Sequence, residues 1–238
     1  MKATGAEIVM DAMKKEGVEI IFGFPGGAII DVFDVMNRPG MPRFVLVRHE
    51  QGAGHAADGY ARATGKTGVC MVTSGPGATN LATAIATAYM DSVPMVAITG
   101  QVVTSAIGND AFQEVDVVGY TRPMSKHNYL VRNVEELPRI LKEAFFIANT
   151  GRPGPVVIDI PKDVQQAVFE DYEYPETIEM RSYKPVVEGN IQQIKRAAKV
   201  IRNAKRPLLY VGGGANNAEC RDLLVKLDVS ELQDRVLN

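Results

Sequence analysis

Short apolar runs alternate with stretches of helical periodicity along most of the chain. Ile8, Val9, Ala12 and Met13 share one helical face within residues 4–16. The run 18–22 then predicts a strand, a glycine-rich turn follows at 23–27, and a helical pattern continues to about Met36. The unit recurs, with strands predicted at 44–47, 68–73, 95–99 and 156–160 and helices at 50–64, 77–91 and 134–149. These strand candidates are continuous β-branched runs, the mark of parallel strands buried on both faces. Residues 1–165 are therefore expected to form an α/β domain with an open, doubly wound parallel sheet.

The pattern changes after that. Charged residues surround Pro161, Pro175 and Pro185, and 166–189 reads as a linker. A second unit begins near 190. It has a helical stripe through Ile191, Ile194, Ala198 and Ile201, an apolar run at 206–211 predicted as a strand, a turn at Gly212, Gly213 and Gly214, and a helix at 216–227. One strand and two helices cannot close a layered domain, so 190–238 is expected to be an incomplete α/β domain that leaves Leu208, Leu209, Leu223 and Leu224 exposed.

Composition narrows the class without changing this picture. The 238 residues carry 26 Lys+Arg against 28 Asp+Glu, and this near-neutral balance gives no reason to expect a nucleic-acid partner. No apolar stretch reaches the ~18 residues of a membrane span, and the first residues lack a signal-peptide layout, so a cytoplasmic protein is expected. The two cysteines, Cys70 and Cys220, cannot build a disulfide scaffold and lack zinc-site spacing; Cys70, inside an apolar run, reads as a small buried hydrophobe.

Candidate chemistry sits where strands end. Arg48-His49-Glu50-Gln51-Gly52-Ala53 follows the second strand, and ligands of open α/β sheets bind beyond the carboxyl ends of strands. Glu50 could serve a ligand admitted by its small neighbours, or could be a helix-start carboxylate stabilised by the macrodipole. Thr73-Ser74-Gly75-Pro76-Gly77-Ala78-Thr79-Asn80 is a second strand–turn–helix junction, suited to cradling an anion or ring edge or serving only helix–sheet packing. A long segment at 99–116 holds Phe112 and Gln113; the phenylalanine could contact substrate or anchor the loop from inside. Arg152 could hold a phosphate or ribose, or pair with a carboxylate.

Together these runs closely resemble one family, the catalytic large subunit of acetohydroxyacid (acetolactate) synthase among the thiamine diphosphate (ThDP) enzymes. The resemblance rests on Phe22-Gly23-Phe24-Pro25-Gly26-Gly27, His49-Glu50-Gln51-Gly52-Ala53, Ser74-Gly75-Pro76-Gly77, Ala111-Phe112-Gln113-Glu114, Gly151-Arg152-Pro153-Gly154-Pro155 and Pro161-Lys162-Asp163-Val164, and covers the chain to about 227. It implies that 1–165 is the pyrimidine-binding domain and 190–238 the start of a central FAD-associated domain. It further implies that Glu50 hydrogen-bonds the aminopyrimidine ring and promotes deprotonation of the thiazolium carbon, which attacks pyruvate and passes a hydroxyethyl unit to a second 2-ketoacid. Gly26, Gly27, Pro76 and Asn80 would border ThDP, and Phe112, Gln113 and Lys162 the substrate. Arg152 with Gly212, Gly213 and Gly214 would contact FAD.

The resemblance also implies a homo-oligomer formed through the pyrimidine-binding domain, with a small regulatory subunit as a possible partner. Val103 stands where the family usually has proline, beside the channel its inhibitors block. The Gly-Asp-Gly motif that holds Mg²⁺ and the diphosphate does not occur, so Mg²⁺ is expected to be bound by ligands outside this chain, which alone is expected to be inactive. Two other readings are a different ThDP decarboxylase or carboligase such as pyruvate oxidase, and a non-catalytic remnant that binds a complete subunit.

Overall fold

The computed structural model describes residues 1–215, 220 and 222–227, which fall into two units, Met1–Lys184 and Pro185–Asn238. The first unit begins with β1 (Ala3–Thr4) and α1 (Gly5–Lys15), followed by β2 (Ile20–Phe24), α2 (Ile30–Met36) and β3 (Arg43–Leu46). Next come α3 (Glu50–Thr64), β4 (Gly68–Val72), α4 (Pro76–Thr79), α5 (Ala82–Met90) and β5 (Met95–Gln101). After a long loop the chain forms α6 (Val117–Thr121), β6 (His127–Leu130), α7 (Leu137–Asn149), β7 (Pro155–Pro161), α8 (Lys162–Gln166) and β8 (Val168–Phe169).

Six strands form one parallel sheet in the order β3-β2-β4-β5-β7-β6. Every residue of β4, β5 and β7 is buried, as expected for strands covered on both sides. Successive side chains of a strand point to opposite faces, and the two core clusters divide accordingly. Val69, Met71, Val96, Ile98, Val156 and Ile158 pack with apolar residues of α1, α2 and α7. Cys70, Val72, Met95, Ala97 and Val157 pack on the other face with Ala53 and Ala57 of α3 and Ile85 of α5. Cys70 is fully enclosed, and burial pushes its thiol up to about 12.

The strand order reverses direction between β2 and β4. From β2 the chain moves outward to β3, then returns across to β4, so crossovers leave on opposite sides of that pair. The carboxyl ends of β2 and β4 are thus the topological switch point, the usual ligand position in such sheets.

Several elements depart from the sequence reading. The expected helix at 77–91 is two helices, α4 and α5, interrupted at Asn80 and Leu81. The edge strand β6 lacks a continuous apolar run because its residues are only half-buried or exposed. Residues 166–184 do not behave as a linker. β8 pairs antiparallel with β1, and the Tyr172 and Tyr174 side chains are buried within the first unit. Their hydroxyls donate to Asp11 Oδ2 at 2.6 Å and Glu16 Oε1 at 2.8 Å, which ties the segment to α1.

In the second unit, α9 (Ile191–Asn203) starts at Asn190, whose side chain accepts hydrogen bonds from the Gln192 and Gln193 amides. The expected strand at 206–211 is not formed among the described residues; a strand needs a neighbour for its backbone groups, and the described residues of this unit offer none there. Leu208, Leu209 and Leu223 are exposed and Leu224 is half-buried. Of the helix expected at 216–227, residues 220 and 222–227 are helical, whereas 216–219 and 221 lie outside the described residues.

Candidate functional site

α3 begins at the carboxyl end of the sheet, directly after β3. His49 is its N-cap, and its imidazole Nδ1 accepts a hydrogen bond from the Gln51 amide at 3.2 Å. Glu50 is thus the first helical residue, where the macrodipole favours a negative charge. The helix ends at Gly65, whose φ of +72° provides the left-handed cap. Glu50 is half-buried, and its Oε2 accepts a hydrogen bond of 2.9 Å from Asn80 Nδ2. Among the described residues nothing donates to Oε1, which lies where a β-carbon on Gly77 would come within 3.4 Å. The helix-start and ligand readings of Glu50 are therefore compatible: the carboxylate sits in the first turn of α3, where the macrodipole favours it, and keeps one oxygen for another donor.

The turn after β2 closes on the turn after β4. Ala28 donates its amide to Thr73 Oγ1 at 3.3 Å, and a β-carbon on Gly26 would lie 2.5 Å from Thr73 Cβ. Gly27, in contrast, has no atom within 4 Å of its β-carbon position, so space is open there. Lys162, at the start of α8, donates Nζ to the Gly27 carbonyl at 3.0 Å. Gly75 adopts φ +51° and ψ −113°, and a β-carbon there would meet the Gln113 carbonyl at 2.3 Å. Pro76 follows at the first position of α4. Gln113 itself has a positive φ of 59°, an unusual conformation for a residue with a side chain.

Contacts thus bring together Glu50, Asn80, Gly26, Gly27, Pro76, Gln113 and Lys162 at the carboxyl end of the sheet. Phe112 occupies the same loop and is 86% exposed, so it does not anchor the loop from inside. Val103 is 38% exposed near the start of this loop. The next residue, Thr104, hydrogen-bonds through its amide and hydroxyl to Asp163, adjacent to Lys162.

Arg152 is elsewhere. It precedes β7 and therefore lies at the amino end of the sheet, opposite Glu50. Among the described residues its guanidinium pairs with no carboxylate; it donates to Ser92 Oγ at 2.7 Å and to the Tyr89 and Met90 carbonyls. Gly212, Gly213 and Gly214 belong to the second unit and are exposed, with a short 3₁₀ turn at Gly213–Ala215. Among the described residues, no group of three or more His, Cys, Asp or Glu side chains could hold a metal ion.

Thr73 was visible in the sequence only as part of the Ser-Gly-Pro-Gly junction, yet it joins the two turns. Asp159 was hidden inside an apolar run. It is 1% exposed, accepts hydrogen bonds from Thr99 Oγ1 at 2.6 Å and Gln101 Nε2 at 2.9 Å, and burial raises its carboxyl to about 7. Only its unusual polarity within Val156-Val157-Ile158-Asp159-Ile160 could have marked it.

A family model described as the thiamine pyrophosphate enzyme, N-terminal TPP binding domain, matches residues 3–120. The chain is 56% identical over 226 residues to the acetolactate synthase large subunit of Haemophilus influenzae, an alignment covering 94% of this chain and 39% of that protein. It is 54% identical over 222 residues to the acetolactate synthase isozyme 3 large subunit of Escherichia coli, covering 93% and 39% respectively. Against the acetolactate synthase of Mycobacterium leprae it is 54% identical over 229 residues, covering 96% and 36%. The chain therefore spans roughly two-fifths of the length of these curated relatives.

Proposed function

Because the chain belongs to the thiamine pyrophosphate enzyme family, and matches acetolactate synthase large subunits over nearly its whole length, we propose that it supplies the aminopyrimidine-binding portion of such a subunit. The whole protein would decarboxylate pyruvate and transfer the two-carbon unit to a second 2-ketoacid, in the branch leading to valine, leucine and isoleucine. The observation that carries this reading is the half-buried Glu50 carboxylate, held through one oxygen by Asn80 beside the sheet's switch point.

The residues present fit a flat nitrogen heterocycle. Gly26 and Gly77 pack so closely on the Thr73 side chain that a β-carbon at either would collide with it, and one on Gly77 would also crowd Glu50 Oε1, while Gly27 and Gly52 face open space. When bound, ThDP supplies a thiazolium carbon that adds to the ketoacid carbonyl. Glu50 Oε1 would accept a hydrogen bond from a protonated ring nitrogen, and Asn80 would fix the carboxylate so that this oxygen stays aimed at the ring. Moving a proton between carboxylate and ring nitrogen is ordinary acid–base chemistry for a positioned carboxyl group. Pro76, Gly26 and Gly27 would border the cofactor, and Phe112, Gln113 and Lys162 the ketoacid. Lys162 would offer positive charge to the substrate carboxylate.

Mg²⁺ and FAD would be further cofactors of the whole protein. The Mg²⁺ and diphosphate ligands would come from outside this chain. Arg152 and the Gly212–Gly214 turn would contribute to FAD. We place the protein in the cytoplasm, and among the described residues no helix is long and apolar enough to cross a membrane. Assembly with a second copy through the first unit, and with a small regulatory subunit, belongs to the same reading.

Joining the chain to the remaining portion of the Haemophilus influenzae relative and assaying pyruvate consumption tests the reading. Acetolactate as the product, dependent on ThDP and Mg²⁺, is expected. Acetate or acetaldehyde as the main product would instead assign the chain to another ThDP carboligase or decarboxylase.

A further inference from the structure

The loop at 102–116 carries Phe112 and Gln113, and it is long enough to need restraint. Its two stems meet at one side chain. Gln101, the last residue of β5, is 2% exposed. Its Oε1 accepts a hydrogen bond of 2.8 Å from the Val102 amide at the start of the loop. Its Nε2 donates to the Val115 carbonyl at 2.9 Å, near the loop's end, and to Asp159 Oδ2 at 2.9 Å. One amide thus uses both nitrogen protons and its oxygen.

The orientation of that amide is dictated by its neighbours. The Val102 amide can only donate and the Val115 carbonyl can only accept, so the Gln101 oxygen must face the former and its nitrogen the latter, which leaves the second N–H for Asp159 Oδ2. Asp159 is in turn fixed by the Thr99 hydroxyl. We propose that Gln101 is a positioning residue, a clasp braced by Asp159 that pins both stems of the loop presenting Phe112 and Gln113. Its functional meaning rests on the reading of those two residues as the substrate side of the site.

Two other devices shape the same loop and do not substitute for the clasp. Glu114 accepts hydrogen bonds from the Gly108 and Ala111 amides, which curls the loop internally. Asp163 holds Thr104. Neither reaches Val115, so without Gln101 the second stem loses its tie to β5. Asp159→Asn is a conservative change, because the Thr99 hydroxyl can turn to accept from the new amide while the asparagine oxygen still receives Gln101 Nε2.

The test is hydrogen–deuterium exchange on the 238-residue chain. In Gln101→Met, which keeps the length but not the hydrogen bonds, peptides covering 102–116 should exchange at least ~10-fold faster, while those of β2 and β4 stay protected. Asp159→Asn should retain most of the loop's protection. Unchanged loop exchange in Gln101→Met, or equal acceleration throughout the first unit, would overturn the proposal. If Gln101→Met does not fold, the unmutated chain still decides. Both Gln101 Nε2 protons should exchange with water far more slowly than those of the exposed Gln192, and equal rates would overturn the clasp. These readouts are independent of ThDP, so a clasp without catalysis would indict the functional reading alone.

Discussion

Gly75 has a narrow range of tolerable replacements. Its backbone, at φ +51° and ψ −113°, is in a region open essentially only to glycine, and the Gln113 carbonyl occupies the space a side chain would need. Such conformations cost about 1–3 kcal/mol for other residues. Gly75→Ala is therefore expected to lower unfolding free energy by at least about 2 kcal/mol in urea titrations and to displace the Gln113 backbone. A stability within a few tenths of a kcal/mol of the parent would show that this turn adapts freely. Asp159 makes a second prediction at this scale. Its folded carboxyl titrates near 7, chiefly because burial penalises the charge, while in the unfolded chain it titrates near 4. Between those values the folded state holds a proton that the unfolded state has lost, so stability from this group is full below about pH 4 and falls as pH rises to about 7. Asp159→Asn should remove that fall, on the order of 2–4 kcal/mol. Parallel stability–pH curves for the two proteins, measured by urea unfolding from pH 4 to 8, would count against it.

Among elements, the tie between 166–184 and α1 has the clearest consequence. Tyr174 donates to Glu16 Oε1, which also receives Lys142 Nζ at 2.7 Å, so one carboxylate links this segment to α1 and α7. Tyr174→Phe should cost about 1–2 kcal/mol, the usual worth of a partly buried hydrogen bond to a charged acceptor. It should also loosen 166–184 in proteolysis before the sheet opens. Simultaneous cleavage of sheet and segment would contradict this. That attachment was not legible in the sequence, because two tyrosines among charged residues carry neither helical nor strand periodicity. By contrast, α3 was legible at both ends: Glu50 follows an apolar run and Gly65 supplies the stop. The edge strand β6 escaped notice since His127, Asn128 and Tyr129 are not an apolar run. Glu50 and its glycine neighbours were readable from motif order, but its hydrogen bond to Asn80 was not. The Gln101–Asp159 contact joins residues 58 apart, a separation that only the pairing of β5 with β7 resolves.

At the scale of the whole molecule, the first unit holds the carboxylate end of the proposed site. The diphosphate of ThDP carries several negative charges and is ordinarily held through Mg²⁺ with carboxylate or amide ligands. Because those ligands are proposed to come from outside this chain, which spans roughly two-fifths of its relatives' length, the chain alone is expected to bind ThDP weakly and to leave pyruvate unconsumed. It is also expected to purify without stoichiometric flavin; a yellow protein would show that this chain suffices to hold it. The account turns most directly on Glu50. The decisive measurement compares acetolactate formation by the chain joined to its relative's remaining portion with that of the same protein carrying Glu50→Gln. An amide cannot exchange the proton, so a fall of ~10²–10⁴-fold in kcat is predicted, with thermal stability close to the parent's. Equal rates in the two proteins would remove Glu50 from the chemistry and contradict the account.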